Sequence, residues 1–73
     1  MQIEIEHGTA YGSELVSYTF IGPLEAFLGR LYKYEGVYTW EQPNGLDSTL
    51  EASTLREAFQ EIARYWKENS FIA

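Results

Sequence analysis

The chain has no cysteine and one histidine, His7, among its 73 residues. Without cysteine there are no disulfides, no thiolate nucleophiles, no iron–sulfur clusters and no zinc sites built on thiolates. A single histidine forms a zinc site only where carboxylates fill the other ligand positions, which is uncommon. The sequence therefore predicts neither a metal site nor a bound cofactor.

The common catalytic motifs are also missing. There is no nucleophile elbow of the form G-x-S-x-G, no phosphate-binding G-x-x-x-x-G-K and no EF-hand loop. His7 is the one side chain that ordinarily titrates near neutral pH, and Tyr11, Ser13 and Glu14 follow it closely. Acid–base catalysis needs a pocket and a partner held within hydrogen-bond reach, and closeness in a loop supplies neither. We expect His7 to be a solvated residue at a strand end and the protein not to be an enzyme.

Long apolar runs and targeting signals are absent as well. The first residues, Met1–Glu6, lack the basic region and apolar stretch of a secretory signal. No apolar run approaches the roughly 20 residues that a membrane-spanning helix needs. These absences predict a cytoplasmic location without a membrane partner.

Positive charge is scarce and unevenly placed. The chain has 11 acidic and 5 basic side chains, a formal net charge of −6. All basic residues lie between Arg30 and Lys67, so the first part of the chain carries acidic side chains alone: Glu4, Glu6, Glu14 and Glu25. Such a surface is typical of a solvated, aggregation-resistant sheet, and it is equally what a docking face for a basic partner requires. Both interpretations stay open at the level of sequence.

Aromatic side chains are abundant, with 2 Trp, 6 Tyr and 4 Phe. In a chain below about 70–80 residues one core rarely supplies more than about 3–5 kcal/mol, so large rings are valuable. Periodicity assigns six of them to the core: Phe20, Phe27, Tyr38, Trp40, Phe59 and Trp66. A domain of this size cannot bury all its rings. We expect some of the other rings to be exposed: Tyr11, Tyr18, Tyr32, Tyr34, Tyr65 and Phe71. Exposed tyrosines favour protein interfaces, including a possible homodimer.

Strand patterns and turn signals occupy most of the chain. Alternating apolar and polar residues, β-branched side chains and turn residues predict strands over Ile3–Glu6, Glu14–Ile21, Val37–Gln42 and, shorter, Thr49–Ala52. The connection His7–Ser13 is rich in turn residues, and Pro43–Asp47 contains the turn signal Asn-Gly.

Residues 23–34 admit two interpretations. As a helix, the segment begins at Pro23 and places Leu24, Phe27 and Leu31 on one face. As a strand, Gly29–Tyr34 forms a hairpin with Val37–Gln42 through Glu35 and Gly36. The hairpin pairs Arg30 with Glu41, Leu31 with Trp40, and Lys33 with Tyr38. We favour the hairpin because glycine and two tyrosines weaken the helix.

The last element is a clear amphipathic helix. Its apolar positions recur at helical spacing: Leu55, Ala58, Phe59, Ile62, Ala63 and Trp66. Thr54 and Glu57 have the spacing of a capping box, and Asn69 suits a left-handed stop.

Together these features predict one α+β domain over residues 1–73. Its expected architecture is an antiparallel meander of four to five strands with one C-terminal helix packed on one face; the alternative is ββαββα with a first helix at 23–34. The expected function is a small acidic, non-enzymatic interaction module, a regulator or inhibitor of phage or bacterial type that docks on a basic surface of another protein. The expected contact residues are Glu4, Glu6, Glu14, Tyr32 and Tyr34. The alternative is a nucleic-acid-binding module using Arg30–Tyr34, against which the net negative charge argues.

Overall fold

The computed structural model describes residues 1–69, which form five strands and one helix. The elements are β1 (Gln2–Ala10), β2 (Ser13–Ile21), β3 (Phe27–Tyr34), β4 (Val37–Glu41), β5 (Asp47–Thr49) and α1 (Leu55–Asn69). The strands form one antiparallel sheet in the order β1-β2-β3-β4-β5, and α1 packs on one of its faces. The predicted α+β meander with a C-terminal helix is confirmed.

The first hairpin is longer than the sequence pattern indicates. We expected a turn-rich connection over His7–Ser13, but β1 continues to Ala10 and only Tyr11 and Gly12 form the turn. Both turn residues have positive φ, 51° and 82°, as a type I′ hairpin requires. The prediction was wrong because glycine and small polar residues suit an exposed edge strand as well as a loop.

Most of residues 23–34 lies in a strand, β3, so the alternative with a first helix is wrong. A short 3₁₀ turn, Pro23–Glu25, is the helical part of this segment, and β3 follows it from Phe27. The three predicted pairs across β3 and β4 are confirmed: Arg30 with Glu41, Leu31 with Trp40, and Lys33 with Tyr38. Glu35 and Gly36 make the predicted two-residue turn, with φ of 49° and 78°.

The last strand lies earlier in the chain than predicted. β5 is Asp47–Thr49 rather than Thr49–Ala52, and β4 ends at Glu41. The Leu50 N–H still donates to the Tyr38 carbonyl at 2.8 Å, and Leu50 packs against the core from the connection that follows.

The start of α1 carries the predicted cap. The Glu57 N–H donates to Thr54 Oγ1 at 3.2 Å, which makes Thr54 the N-cap residue. In return the Glu57 carboxylate accepts hydrogen bonds from the hydroxyls of Ser53 at 3.0 Å and Thr54 at 3.3 Å. The predicted left-handed stop at Asn69 depends on residues outside the described range, and Phe71, one of the rings expected to be exposed, also lies outside it.

The core lies between α1 and the three middle strands. Its buried members come from β2, β3, β4 and the helix: Val16, Phe20, Leu31, Tyr38, Trp40, Ala58 and Ile62. Half-buried Trp66 meets Phe20 and Trp40 edge-to-face at ring centroid distances of 5.0 and 5.7 Å. Its indole N–H donates to the Leu28 carbonyl at 3.2 Å. These ring contacts fix the position of the helix on the sheet.

Phe27 does not belong to the core, contrary to its expected assignment. The register between β2 and β3 pairs Phe20 with Gly29 but Ile21 with Phe27, so Leu28 is an extra residue in a β-bulge. The bulge shifts the alternation by one residue. Phe27 therefore lies on the sheet face opposite α1, where the Arg30 guanidinium sits 5.3 Å from its ring centroid.

Candidate functional site

One face of the sheet carries α1, and no other described element covers the opposite face, here called the open face. Side chains of directly paired residues share a face, so the strand register assigns the members. The charged and aromatic ones are Glu4, Glu6, Phe27, Arg30, Tyr32, Tyr34, Glu41 and Asp47. Four of the five predicted contact residues thus share one surface, and Glu14 is the exception.

Arg30 is the cation of the open face within the described residues, and its side chain is held by several contacts. Its Nε donates to Thr19 Oγ1 at 2.9 Å and its Nη1 donates to the Tyr32 hydroxyl at 3.2 Å. The Tyr32 hydroxyl donates to Glu41 Oε1 at 2.9 Å, and the same oxygen lies 3.9 Å from Arg30 Nη1. The hydrogen bond with Tyr32, with attraction to Glu41 and Glu6, raises the pKa of Arg30 against the opposing effect of burial. Two of the Arg30 nitrogens, Nε and Nη1, are therefore engaged within the sheet, while the side chain stays 37% exposed.

The carboxylates of the open face outnumber its cation. Glu4 and Glu6 are exposed on β1, while Asp47 is exposed on β5 and Glu41 is half-buried between them. With Glu41 paired to Arg30, three carboxylates remain without a cation on this face in the described structure. The face is acidic at both edges.

Tyr34 lies across the open face. Its hydroxyl donates to the carbonyl oxygen of Ala10 at 2.8 Å, so the side chain spans β2 from β3 to the end of β1. Tyr32 and Tyr34 are both half-buried. Their hydroxyls are fixed by hydrogen bonds and they present a rigid, partly accessible surface rather than free rings.

Glu14 is separated from Glu4 and Glu6. It pairs with Thr9 and, by strand alternation, lies on the helix side of the sheet. There it lines a hollow of about 340 Å³ at the end of the sheet that holds both tight turns, with Ser13, Lys33, Glu35 and Gly36. The Ser13 hydroxyl donates to Glu35 Oε1 at 3.0 Å. Glu14 lies an odd number of residues from the β2 positions whose side chains are on the open face, so its own side chain lies on the helix side. Of the three glutamates expected to contact a partner, Glu4 and Glu6 therefore share the open face and Glu14 does not.

The feature that sequence reasoning missed is the exposure of β1. Ile3 and Ile5 pair with Phe20 and Tyr18 and share the helix-side face, yet they are 45% and 55% exposed. Their alternation with glutamates is the pattern of a half-buried strand. The alternation correctly predicts that Ile3 and Ile5 share one face of the sheet. It does not predict whether α1 extends far enough across that face to cover them.

The exposed isoleucines continue into a groove along α1. The groove has a volume of about 510 Å³ and is lined by Leu55, Arg56, Phe59, Gln60 and Ala63. Tyr18 joins the two regions, because it pairs with Ile5 and meets the Phe59 ring edge-to-face at 5.9 Å. We call Ile3, Ile5, Tyr18 and Phe59 the apolar strip.

His7 lies in the middle of β1, opposite Val16, rather than at a strand end as expected. It is exposed, and within residues 1–69 no hydrogen bond joins it to Tyr11, Ser13 or Glu14. The described residues include no group of three side chains placed to hold a metal ion. In the same part of the chain, no helix is long and apolar enough to cross a membrane.

The chain was also compared with known proteins. No model of a protein family, no curated protein and no solved structure matches this chain.

Proposed function

We propose that the protein is a non-enzymatic interaction module whose open face docks on a basic surface of another protein and regulates or inhibits that protein. The observation that carries the proposal is the composition of this face among the described residues: carboxylates at both edges, fixed tyrosines between them, and one cation, Arg30, whose side chain is held by Thr19 and Tyr32.

The charge arrangement suits long-range attraction to a cationic surface. Glu4 and Glu6 are exposed on an edge strand, so a partner can approach them without displacing any described element of the fold. Complementary charges raise association rates by factors of about 10–10³ in favourable cases. They also suppress binding to acidic partners, because like charges brought together without solvent are unfavourable.

The tyrosines supply the contact area that charge alone lacks. Tyr32 and Tyr34 are held in position by their hydroxyl hydrogen bonds, so little side-chain entropy is lost when a partner covers them. Tyrosine is among the residues that most often dominate binding energy in protein interfaces. An acidic rim around fixed aromatic side chains is a reasonable counterpart for a basic patch with an apolar centre.

The nucleic-acid alternative has less support. It groups Arg30, Lys33 and the two tyrosines on one surface, but Lys33 lies on the helix side, with its Nζ 5.7 Å from the Tyr38 ring centroid. Arg30 is engaged with Thr19 and Tyr32. Phosphate binding depends on accessible cations, and the open face presents carboxylates instead.

The test compares two variants with the same change in net charge. Glu4→Gln with Glu6→Gln alters the open face, and Glu51→Gln with Glu61→Gln removes two charges elsewhere. A partner is first captured from the native lysate with and without nuclease, then purified for surface plasmon resonance. We expect the open-face variant to associate several-fold more slowly at low salt, and the control variant to associate at nearly the wild-type rate.

Salt and an oligonucleotide complete the design. The difference between the variants should fade near 1 M salt, where the Debye length falls from about 10 Å at 0.1 M to about 3 Å. Equal association rates for both variants at low salt contradict the proposal. Tighter binding of the open-face variant to a generic single-stranded oligonucleotide, with capture lost after nuclease, supports the nucleic-acid alternative instead.

A further inference from the structure

The outer edge of β1 is a long, unpaired strand edge. β1 has nine residues and pairs only with β2 among the described residues, whereas the opposite edge strand, β5, has three. Proteins usually shield such an edge with charged side chains, above all lysine, or with proline, a bulge or a covering element. The charged side chains of β1 are Glu4 and Glu6, which repel an acidic strand but attract a basic one. β1 contains no lysine and no proline, and its pairing with β2 is regular from Gln2 to Ala10. The edge is therefore open to a basic strand.

The two-residue turn determines which backbone groups face outward. In such a hairpin the pair that flanks the turn, Ala10 and Ser13, exchanges both hydrogen bonds, and hydrogen-bonded pairs alternate from there. The residues between them point their N–H and C=O groups away from β2: Ile3, Ile5, His7 and Thr9. An incoming antiparallel strand would form its hydrogen-bonded pairs with these residues.

The side chains of β1 define what the incoming strand should carry. On the helix side, Ile3 and Ile5 begin the apolar strip that continues to Phe59 and the groove of about 510 Å³. On the open face, Glu4 and Glu6 are exposed, and no described cation pairs with either at salt-bridge distance. The matching strand alternates apolar residues, which extend the strip, with basic residues, which face the glutamates.

A second copy of this chain fits the edge poorly. Three antiparallel registers pair β1 with itself over at least seven of its nine residues, and they are centred on Ile5, Glu6 and His7. The register centred on Ile5 places Glu4 opposite Glu6 of the other copy, and the one centred on Glu6 places Glu6 opposite Glu6. Like charges directly opposite each other destabilise strand pairs. The register centred on His7 avoids this repulsion but places Ile5 opposite Thr9, so neither isoleucine faces an isoleucine of the other copy. A strand that alternates basic and apolar residues therefore fits the edge better than a second copy does.

We propose that β1 accepts an extended segment of a partner protein, with alternating basic and apolar residues, as a sixth antiparallel strand of the sheet. Antiparallel pairing follows the rest of the sheet and is slightly more stable per residue than parallel pairing. Backbone hydrogen bonds give such strand addition its affinity, and alternate side chains give it specificity. The proposal rests on the proposed function, since it names the mode in which the basic partner is bound.

The probe is a fluorescein-labelled peptide of alternating Lys and Val, with nine residues to match β1. In antiparallel pairing its valines lie beside the isoleucines, so the valine N–H groups form the hydrogen bonds to β1. Two matched peptides follow: one N-methylated at the valines and one N-methylated at the lysines. We expect binding to the first to be at least about tenfold weaker than to the second, because several backbone hydrogen bonds are lost. Equal affinities for the two overturn the proposal.

Variants of the protein and spectroscopy locate the interaction. Ile3→Thr with Ile5→Thr keeps β-branched residues but removes the apolar strip, and Val37→Thr is the control at an exposed position of β4. We expect the double variant to bind the Lys–Val peptide weakly and the control to bind it normally. In ¹⁵N spectra the amides of Ile3, Ile5, His7 and Thr9 should shift most and gain protection from exchange. Shifts centred on β5 or α1 overturn the proposal.

The two proposals fail in distinguishable ways. If Glu4→Gln with Glu6→Gln weakens binding while both methylated peptides bind equally, docking by charge stands and strand addition is wrong. If the glutamate variant binds the Lys–Val peptide and the captured partner like wild type, the charge proposal is wrong. A concentration-dependent dimer of the protein alone that blocks the peptide shows that the edge belongs to a second copy, and this result also overturns strand addition.

Discussion

Gly29→Ala tests the packing that holds the sheet against α1. Gly29 is buried in β3 with φ of +132°, a conformation that residues with a side chain rarely adopt. A Cβ built there would overlap Cη2 and Cζ2 of the Trp40 ring. The indole ring rests directly on the glycine backbone and is itself nearly fully buried. Neither the backbone nor the ring can move without disturbing the core.

The expected loss of stability has two parts. Holding a non-glycine residue in a sparsely populated backbone region costs about 1–3 kcal/mol. Forcing an extra methyl group into a packed core costs about 1–3 kcal/mol more. The sum, about 2–6 kcal/mol, is comparable to the stability of about 3–5 kcal/mol that a core of this size supplies. We therefore expect Gly29→Ala to be largely unfolded at room temperature.

Two other glycines of the chain separate these contributions. Gly36 has φ of +78° but open space around its Cβ position, so Gly36→Ala tests backbone strain alone. Gly8 has neither a positive φ nor a neighbour within 4 Å, so Gly8→Ala should be neutral or slightly stabilising. Thermal and urea unfolding followed by circular dichroism should rank the variants Gly8→Ala, Gly36→Ala, Gly29→Ala in falling stability. If Gly29→Ala melts within a few degrees of Gly36→Ala, the contact between Gly29 and Trp40 does not constrain the core as argued.

The remaining predictions concern the helix and His7. Phe59→Ala removes a ring that contacts both Tyr18 and Phe20. The free energy of unfolding should fall by about 3–5 kcal/mol, so circular dichroism should show a largely unfolded chain. A melting temperature near that of wild type would mean that this face of α1 is not core. Thr54→Ala should cost about 1 kcal/mol, because the Glu57 N–H loses its acceptor, and a melt unchanged within error would contradict the cap. His7→Ala should leave the fold nearly intact by circular dichroism, since the His7 side chain is exposed in mid-strand. A hundred-fold loss of an activity with the fold preserved would restore the enzyme hypothesis.

The sequence predicts the hairpin of β3 and β4 and the helix α1 well, because the sequence signals for both are local. The turn at Glu35 and Gly36 fixes the register, and that register gives all three predicted pairs of β3 and β4. The helix begins where the spacing of Thr54 and Glu57 places it. Turn geometry and capping depend on a few neighbouring residues, so one sequence contains the necessary information.

The errors in the candidate site arise from features that alternation does not encode. The bulge at Leu28 inserts one residue and moves Phe27 from the expected core to the open face. Glu14 was grouped with Glu4 and Glu6 by charge, but residues on neighbouring strands share a face only if the register places them opposite each other or an even number of positions apart. Both facts are properties of strand pairing across the sheet and become visible only when the register is known.

The exposure of β1 follows from the dimensions of the two layers. A helix with its side chains is about 10–12 Å wide, while five strands spaced about 4.8 Å apart span about 19 Å between the outer strand axes. One helix therefore covers the middle of this sheet, and every buried sheet residue lies on β2, β3 or β4. Both edge strands remain uncovered, but β5 has three residues and β1 has nine. Of the two edge strands, β1 alone is long and carries an apolar side and an acidic side. Because the helix is narrower than the sheet, Ile3 and Ile5 remain in solvent. For the same reason the edge of β1 stays open to pairing with a basic strand.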